Sequence, residues 1–195
     1  MEPDKYKNIY RISSSRLQKW DYRWDAAYFI TICSKNREHF FGEITNGKMT
    51  LSSIGVIADV LWYEIKTHAI NIELGEFIVM PNHIHGIIIL NSLRNDKPPQ
   101  LEIPPIESSN VDSIKNEPKT VGEKRFQNQG KNSISSIVGS YKSAVTKHIN
   151  RLGFVSEWQG RFHDHIIRDE KEFIKISNYI KNNPQLWKED KFYSL

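Results

Sequence analysis

Apolar and polar positions alternate along this chain in blocks that can be read one at a time. Residues 26–33, AAYFITIC, alternate and are rich in β-branched and aromatic types, which predicts a strand. Phe40 to Leu51 carries Asn46-Gly47 between two alternating stretches, a hairpin signal. From Ser53 to about His68, Ile54, Ile57, Ala58, Leu61 and Ile65 recur at helical spacing behind a Ser52 or Ser53 cap. Glu76–Met80 and His83–Leu90 read as two apolar strands around a Pro81-Asn82 turn. Further on, Ile134, Ile137, Val138, Tyr141, Ala144, Val145 and Ile149 form one helix face. A strand follows over Phe162–Ile167, then a helix from about Glu170 to Asn182, stopped by Pro184. There is no internal repeat. The order of elements predicts an α+β fold, an antiparallel sheet with helices packed on one side.

Composition interrupts this pattern once. Residues 91–132 hold Pro98, Pro99, Pro104, Pro105 and Pro118 among Asn, Ser, Lys, Glu and Gln, with few apolar residues to bury. Such a stretch predicts a flexible polar insertion, and its charges nearly cancel. The 195 residues, 38% hydrophobic and 26% charged, suit a single domain over 1–195 with this insertion at about 91–132. No apolar run approaches the ~20 residues that span a bilayer. Cys33 stands alone and the first residues lack a leader's apolar stretch, so a cytoplasmic protein without membrane association is expected.

The net charge of +4 is mild, but its distribution is uneven. Lys5, Lys7, Arg11, Arg16, Lys19 and Arg23 are interleaved with Tyr6, Tyr10, Trp20, Tyr22 and Trp24. Lys142, Lys147, Arg151, Arg161 and Arg168 form a second basic stretch. Cations with interleaved aromatics suit a single nucleic-acid strand, through phosphate attraction and base stacking.

Two short segments carry candidate chemistry. In Met80-Pro81-Asn82-His83-Ile84-His85-Gly86, alternation along a strand places His83 and His85 on one face and Ile84 in the core. Two imidazoles there can converge on one cation, and Gly86 is expected to leave the backbone open beside them. Two histidine ligands leave coordination positions open, as catalytic sites do, and with amide ligands added they suit Mg²⁺ or Mn²⁺. In Ile176-Ser177-Asn178-Tyr179-Ile180-Lys181-Asn182-Asn183-Pro184, Tyr179 falls at the margin of the stripe formed by Phe173, Ile176 and Ile180. Asn183 shares its face if the helix persists to the residue before Pro184. A phenol with an ordinary pKa near 10 needs help to act as a nucleophile, and a metal polarising the phosphate provides it.

At this point the residues resemble a known family. VMPNHIHGIIIL (79–90) resembles the HUH strand of single-tyrosine transposases. WQGRFHDHIIRDEKEFIKISNYIKNNPQLW (158–187) resembles the C-terminal signature of the REP-associated tyrosine transposase branch, and SSIVGSYKSAVTKHIN (135–150) the segment between the two. The resemblance spans 22–187, apart from the insertion. It implies a ferredoxin-like, RRM-like sheet with the histidines on a central strand. It implies Tyr179 as the nucleophile on single-stranded DNA, leaving a 5′-phosphotyrosine and a free 3′-hydroxyl. His83 and His85 would be metal ligands, with Asn183 the third. Arg161 and His165 match signature positions near the DNA path, with Arg168 and Lys142 as further DNA contacts from the basic stretch. The expected partner is single-stranded DNA with hairpin-forming ends, bound by a monomer or a homodimer.

Tyr141 competes for the nucleophile's role, because other single-tyrosine transposases carry it on the helix after the long connection; its place in an apolar stripe argues against it. Three rivals remain: a non-catalytic single-strand-binding module on an RRM-like sheet, a domesticated relative with the same chemistry, and a metal-dependent phosphohydrolase that uses water.

Overall fold

The structure, a computed structural model, describes residues 22–91 and 132–193. The basic aromatic stretch up to residue 21 and nearly all of the 91–132 insertion lie outside the described residues.

Four strands make the main sheet: β1 (Ala26–Cys33), β4 (Ile72–Val79), β5 (His83–Leu90) and β6 (His163–Ile167). Their order is β4-β5-β1-β6, and every pairing is antiparallel. β1 and β5 pair along their whole length, from Ala26↔Leu90 to Cys33↔His83. Between β1 and β4 come the small hairpin β2 (Gly42–Thr45) and β3 (Lys48–Leu51), then helices α1 (Ser53–Tyr63) and α2 (Ile65–His68). Helix α3 (Ile134–Arg151) precedes β6, and α4 (Glu170–Asn182) follows it. With the hairpin set aside, this is the β-α-β-β-α-β order of the ferredoxin-like fold.

Local chemistry explains each element. Asn46 and Gly47 both take positive φ, 53° and 72°, the geometry of a tight hairpin turn. Side chains cap the three long helices: Ser52 accepts from Gly55 N, Ser133 from Ser136 N and Asp169 from Glu172 N. The helix expected over 53–68 breaks at Glu64, which separates α1 from α2. Strand β4 starts at Ile72, four residues before the expected Glu76, because its pairing with β5 shifts between Leu74 and Phe77. The bulge hides the strand's period, and Gly75 fits it: a Cβ there would lie 2.9 Å from Ile87 Cβ.

The two sheet faces differ. Tyr28, Ile30, Ile32, Ile84, Ile88 and Ile166 turn to one side and form the main core with Ala58 and Trp62 of α1 and with Ile137, Val138, Tyr141, Val145 and Ile149 of α3. The helices expected on one side of the sheet are these two. The opposite face carries Ala27, Phe29, Ile87, Ile89 and Ile167, and α4 lies against it through Phe173, Ile176, Tyr179 and Ile180. His83 and His85 belong to this second face, since their β1 partners Cys33 and Thr31 alternate with Ile32 and Ile30.

Gly86 does not open the site, as its position beside His85 suggested. One residue along the strand, it faces the other way, and a Cβ on it would lie 2.2 Å from Trp62 Cζ2. The missing side chain lets the Trp62 indole pack on the strand and stack on Phe77 at 4.5 Å and 10°. Gly139 offers the contrast: it lies within α3, and a Cβ there meets nothing within 4 Å. Gly86→Ala is therefore expected to lower unfolding free energy by about 1–3 kcal/mol through overpacking. Gly139→Ala is expected to raise it by about 0.5–1 kcal/mol. Urea unfolding of both variants beside the wild type measures the pair, and equal effects would contradict the packing account.

Candidate active site

The turn before β5 is held tightly. Met80 N donates to His83 O at 2.8 Å, Phe41 N to Pro81 O at 3.0 Å, and Ser34 N and Oγ both to Asn82 O at 2.9 Å. These bonds fix where β5 begins, and so fix both imidazoles. The rings lie 4.4 Å apart, and His83 and His85 are 0% and 1% exposed. His83 Nδ1 donates to Asn82 Oδ1 at 2.8 Å, which leaves Nε2 as the acceptor nitrogen. That Nε2 is buried and has no hydrogen-bond partner. His85 Nδ1 pairs with Thr31 Oγ1 at 2.9 Å, its cross-strand neighbour. The threonine hydroxyl both donates and accepts, so it suits either tautomer.

Tyr179 reaches the same place from α4. Its hydroxyl lies 3.2 Å from His85 Nε2 and donates to Asp190 Oδ2 at 2.6 Å. Asn183 precedes Pro184 yet keeps helical angles, φ −54° and ψ −41°, so it does share Tyr179's face. Its Nδ2 also donates to Asp190 Oδ2, at 2.6 Å, while its buried Oδ1 has no partner. Asp190 completes a group with His83 and His85 whose ligand atoms all lie within 4.8 Å of one another. The sequence reading missed Asp190. It sits past the last helix in a short aromatic tail, where no periodicity marks it. The tail is anchored by Asn82 Nδ2 donating to Phe192 O at 2.9 Å and by Phe192 N donating to Asp190 Oδ1 at 2.6 Å.

Burial sets the protonation states. It lowers His83 to about 3, helped by the charge of Arg37. It also holds His85 well below its usual value, with the His83 charge adding to this and Asp190 opposing it. Both rings are neutral at pH 7 and offer lone pairs. Burial, then Asp190, pushes Tyr179 upward, so its phenol keeps its proton in this state. Cys33, opposite His83, is pushed up to about 11 by burial and stays a thiol. Two imidazoles, one with an unpartnered nitrogen, a carboxylate and a buried amide oxygen without a partner fit a divalent cation.

The remaining predicted residues separate. Tyr141 lies on the opposite face of the sheet, 3% exposed, and donates to Ala58 O at 2.7 Å. Its ring packs on Trp62, and its hydroxyl has no path to the imidazoles. Arg161 and Arg168 are exposed on either side of β6. His165 is exposed on β6 and pairs with Glu172 Oε1 at 2.8 Å. Lys142 donates to Gln159 O at 2.7 Å beside the Trp158 ring. None of these four hydrogen-bonds to Tyr179 or to either imidazole, although His165 faces the same side of the sheet as the histidines, opposite Phe29. Among the described residues, no helix is long and apolar enough to cross a membrane.

A pH dependence follows from the two buried rings. In the unfolded chain they take up protons near 6.5, and in the folded chain His83 does so only near 3. Between these values the unfolded state binds more protons, so stability rises with pH. The His83 contribution is complete above about pH 6.5 and is lost progressively toward pH 3, and His85, also held low by burial, acts in the same direction. With metal removed by chelator, acidification below pH 6.5 is expected to cost about 1.4 kcal/mol per pH unit for each ring. Urea midpoints at pH 7.5 and 5, in wild type and His83→Gln/His85→Gln, measure this. An equally steep loss in the double variant would refute it.

No protein-family model matches the chain. An uncharacterized protein of Haemophilus influenzae (strain ATCC 51907 / DSM 11121 / KW20 / Rd) is 35% identical over 190 residues, which covers 95% of this chain and 94% of that protein. Among solved structures, a REP-associated tyrosine transposase bound to a REP hairpin matches with a TM-score of 0.54 and 18% identity, over 92% of this chain and 77% of its own. At that identity the likeness is one of fold. The chain therefore belongs to one family with the Haemophilus influenzae protein, and its fold is that of a REP-associated tyrosine transposase.

Proposed function

We propose that this protein is a transposase-type enzyme that cleaves and rejoins single-stranded DNA through a transient bond between Tyr179 and a 5′-phosphate. The observation that carries this reading is the position of one oxygen: Tyr179 Oη lies 3.2 Å from His85 Nε2 and 2.6 Å from Asp190 Oδ2. The shared fold with a transposase bound to a REP hairpin supports DNA as the partner, and a hairpin-forming end as its form.

In this mechanism Asp190 takes the phenolic proton as Tyr179 Oη attacks phosphorus. The bond from phosphorus to the 3′-oxygen breaks, and that oxygen leaves as an alkoxide that takes a proton from water to become a free hydroxyl. The phosphodiester energy is kept in the tyrosine ester, so a 3′-hydroxyl can later attack the same phosphorus and release Tyr179 without ATP. His83, His85 and Asp190 would hold a Mg or Mn ion, with Asn183 Oδ1 as a further donor. When bound, such an ion supplies Lewis-acid polarisation of the phosphate. Asn82 and Thr31 orient the two imidazoles through their second nitrogens, as outer partners of metal-binding histidines do. Tyrosine, histidines and acid all belong to one chain, which supports a site complete in a monomer.

The rival reading, a binding module without catalysis, needs an open sheet face on which bases can stack. Here α4 lies over that face, and Phe29 meets the edge of Tyr179 at 6.1 Å between ring centres. That observation favours the enzyme. Arg161, Arg168, Lys142 and His165 are proposed as DNA contacts away from the reacting atoms.

The test is incubation with a labelled single-stranded hairpin oligonucleotide and Mn²⁺, read as covalent adduct on a denaturing gel. Wild type and Tyr141→Phe are expected to form the adduct. Tyr179→Phe is expected to form none, and Asp190→Asn to form it about 10²-fold more slowly, the range for a lost general base. Adduct from Tyr179→Phe would end the assignment. Adduct lost only in Tyr141→Phe would move the nucleophile to the other helix. Chelation is expected to abolish the adduct, and restored Mn²⁺ to recover it. Adduct formation that persists after chelation would remove the metal from the mechanism.

A further inference from the structure

Beside the site, two exposed cations lie over one aromatic ring. Asn36 and Arg37 follow β1 with φ of 54° and 59°, two consecutive left-handed residues. Asparagine tolerates that geometry, whereas arginine rarely adopts it. The turn carries Arg37 over the Phe192 ring, with Cζ 5.4 Å from its centre, and Lys191 Nζ lies 5.5 Å from the same centre. Arg37 Nη1 also donates to Lys191 O at 3.3 Å. The Phe192 ring itself packs against His83 at 4.9 Å and His85 at 5.8 Å. Through that ring Arg37 and Lys191 stand beside the paired imidazoles. Residues held in sparsely populated backbone regions cluster at functional sites.

We propose that Arg37, flanked by Lys191, is the phosphate anchor of the site and binds a phosphodiester of the single strand beside the scissile bond. The inference rests on the nucleic-acid reading above and adds to it a residue outside every motif the sequence offered. A guanidinium presents its donors in a fork that matches phosphate oxygens, and both side chains are exposed to an incoming strand. A phosphate held there would meet both cations on one side and the proposed metal ligands on the other.

The experiment measures binding of a labelled single-stranded hairpin oligonucleotide to the full chain in a Tyr179→Phe background with Mn²⁺, over a series of salt concentrations. Each neutralised phosphate on a single strand contributes a slope of about −0.7 in log K against log salt. Arg37→Gly is expected to weaken binding roughly tenfold and to flatten the slope by about 0.7; with Lys191→Ala added the flattening is about 1.4. Lys66→Ala, on α2 across the sheet, is expected to leave the slope unchanged. Glycine takes the left-handed turn freely, so Arg37→Gly is expected to keep its melting temperature within a few degrees. Mn²⁺ affinity without DNA, by calorimetry, is expected to hold or tighten, because a repelling charge has gone.

An unchanged slope in Arg37→Gly, or the same loss in Lys66→Ala, overturns the proposal while leaving the parent reading intact. Loss of Mn²⁺ affinity in Arg37→Gly overturns it in favour of a strut that merely holds the C-terminal tail. No DNA binding by the Tyr179→Phe parent overturns the parent reading, and this one with it.

Discussion

Strand β5 has to serve two environments with one period. Its even side, Ile84, Gly86, Ile88 and Leu90, faces α1 and α3, and its odd side, His83, His85, Ile87 and Ile89, faces α4. A slip of one residue would bury the imidazoles in a hydrophobic core and turn the isoleucines toward Tyr179. Everything that defines the site also fixes this register: full pairing with β1, the Pro81-Asn82 turn held by three residues' hydrogen bonds, and the Trp62 indole seated where only glycine leaves room. Two neutral imidazoles, 4.4 Å apart and almost wholly buried, are then forced to share one small space. Burying polar groups without partners is unfavourable, and the unpartnered His83 Nε2 shows that packing alone does not repay it.

Much of this was legible because it depends on period. The strand limits at Ala26–Cys33 and His83–Leu90, the Asn46-Gly47 turn, the Ser52 cap and the span of the last helix all follow from alternation, spacing and capping chemistry. The face shared by the two histidines followed from the same rule. What escaped depends on partners distant in sequence. Thr31 becomes a histidine partner only through pairing across 54 residues. Gly86 reads as an opening beside the site until Trp62 is placed behind it. Asp190 lies on no regular helix or strand face, and the C-terminal tail brings it back through Asn82, whose amide ties that tail to the turn. Strand β4 was cut short because a bulge breaks the alternation on which the reading relied.

The two tyrosines show why geometry, and not residue type, supports the proposed nucleophile. Both phenols donate to an oxygen at almost the same distance, 2.7 Å for Tyr141 and 2.6 Å for Tyr179. The Tyr141 acceptor is a backbone carbonyl of α1 inside the core, which cannot take a proton. The Tyr179 acceptor is a carboxylate, which can. Burial raises both phenols, but at Tyr179 the acid that contributes to this rise is also the base that can relieve it. A phenol held protonated beside a base is the state expected of a nucleophile that ionises only as it attacks.

Charge balance ties the parts of this reading together. The imidazoles are neutral, so Asp190 brings the negative charge among the proposed ligands, with Arg37 and Lys191 near it on the positive side. A divalent ion alone would leave that neighbourhood with a large positive excess. A phosphodiester alone would face the Asp190 carboxylate. Together the two ligands offset one another, so each binds better in the presence of the other, and the coupling is reciprocal by linkage. On the proposed function, the site would hold a metal most firmly with a strand in place. That follows from placing an arginine beside a pair of buried histidines that carry no charge of their own.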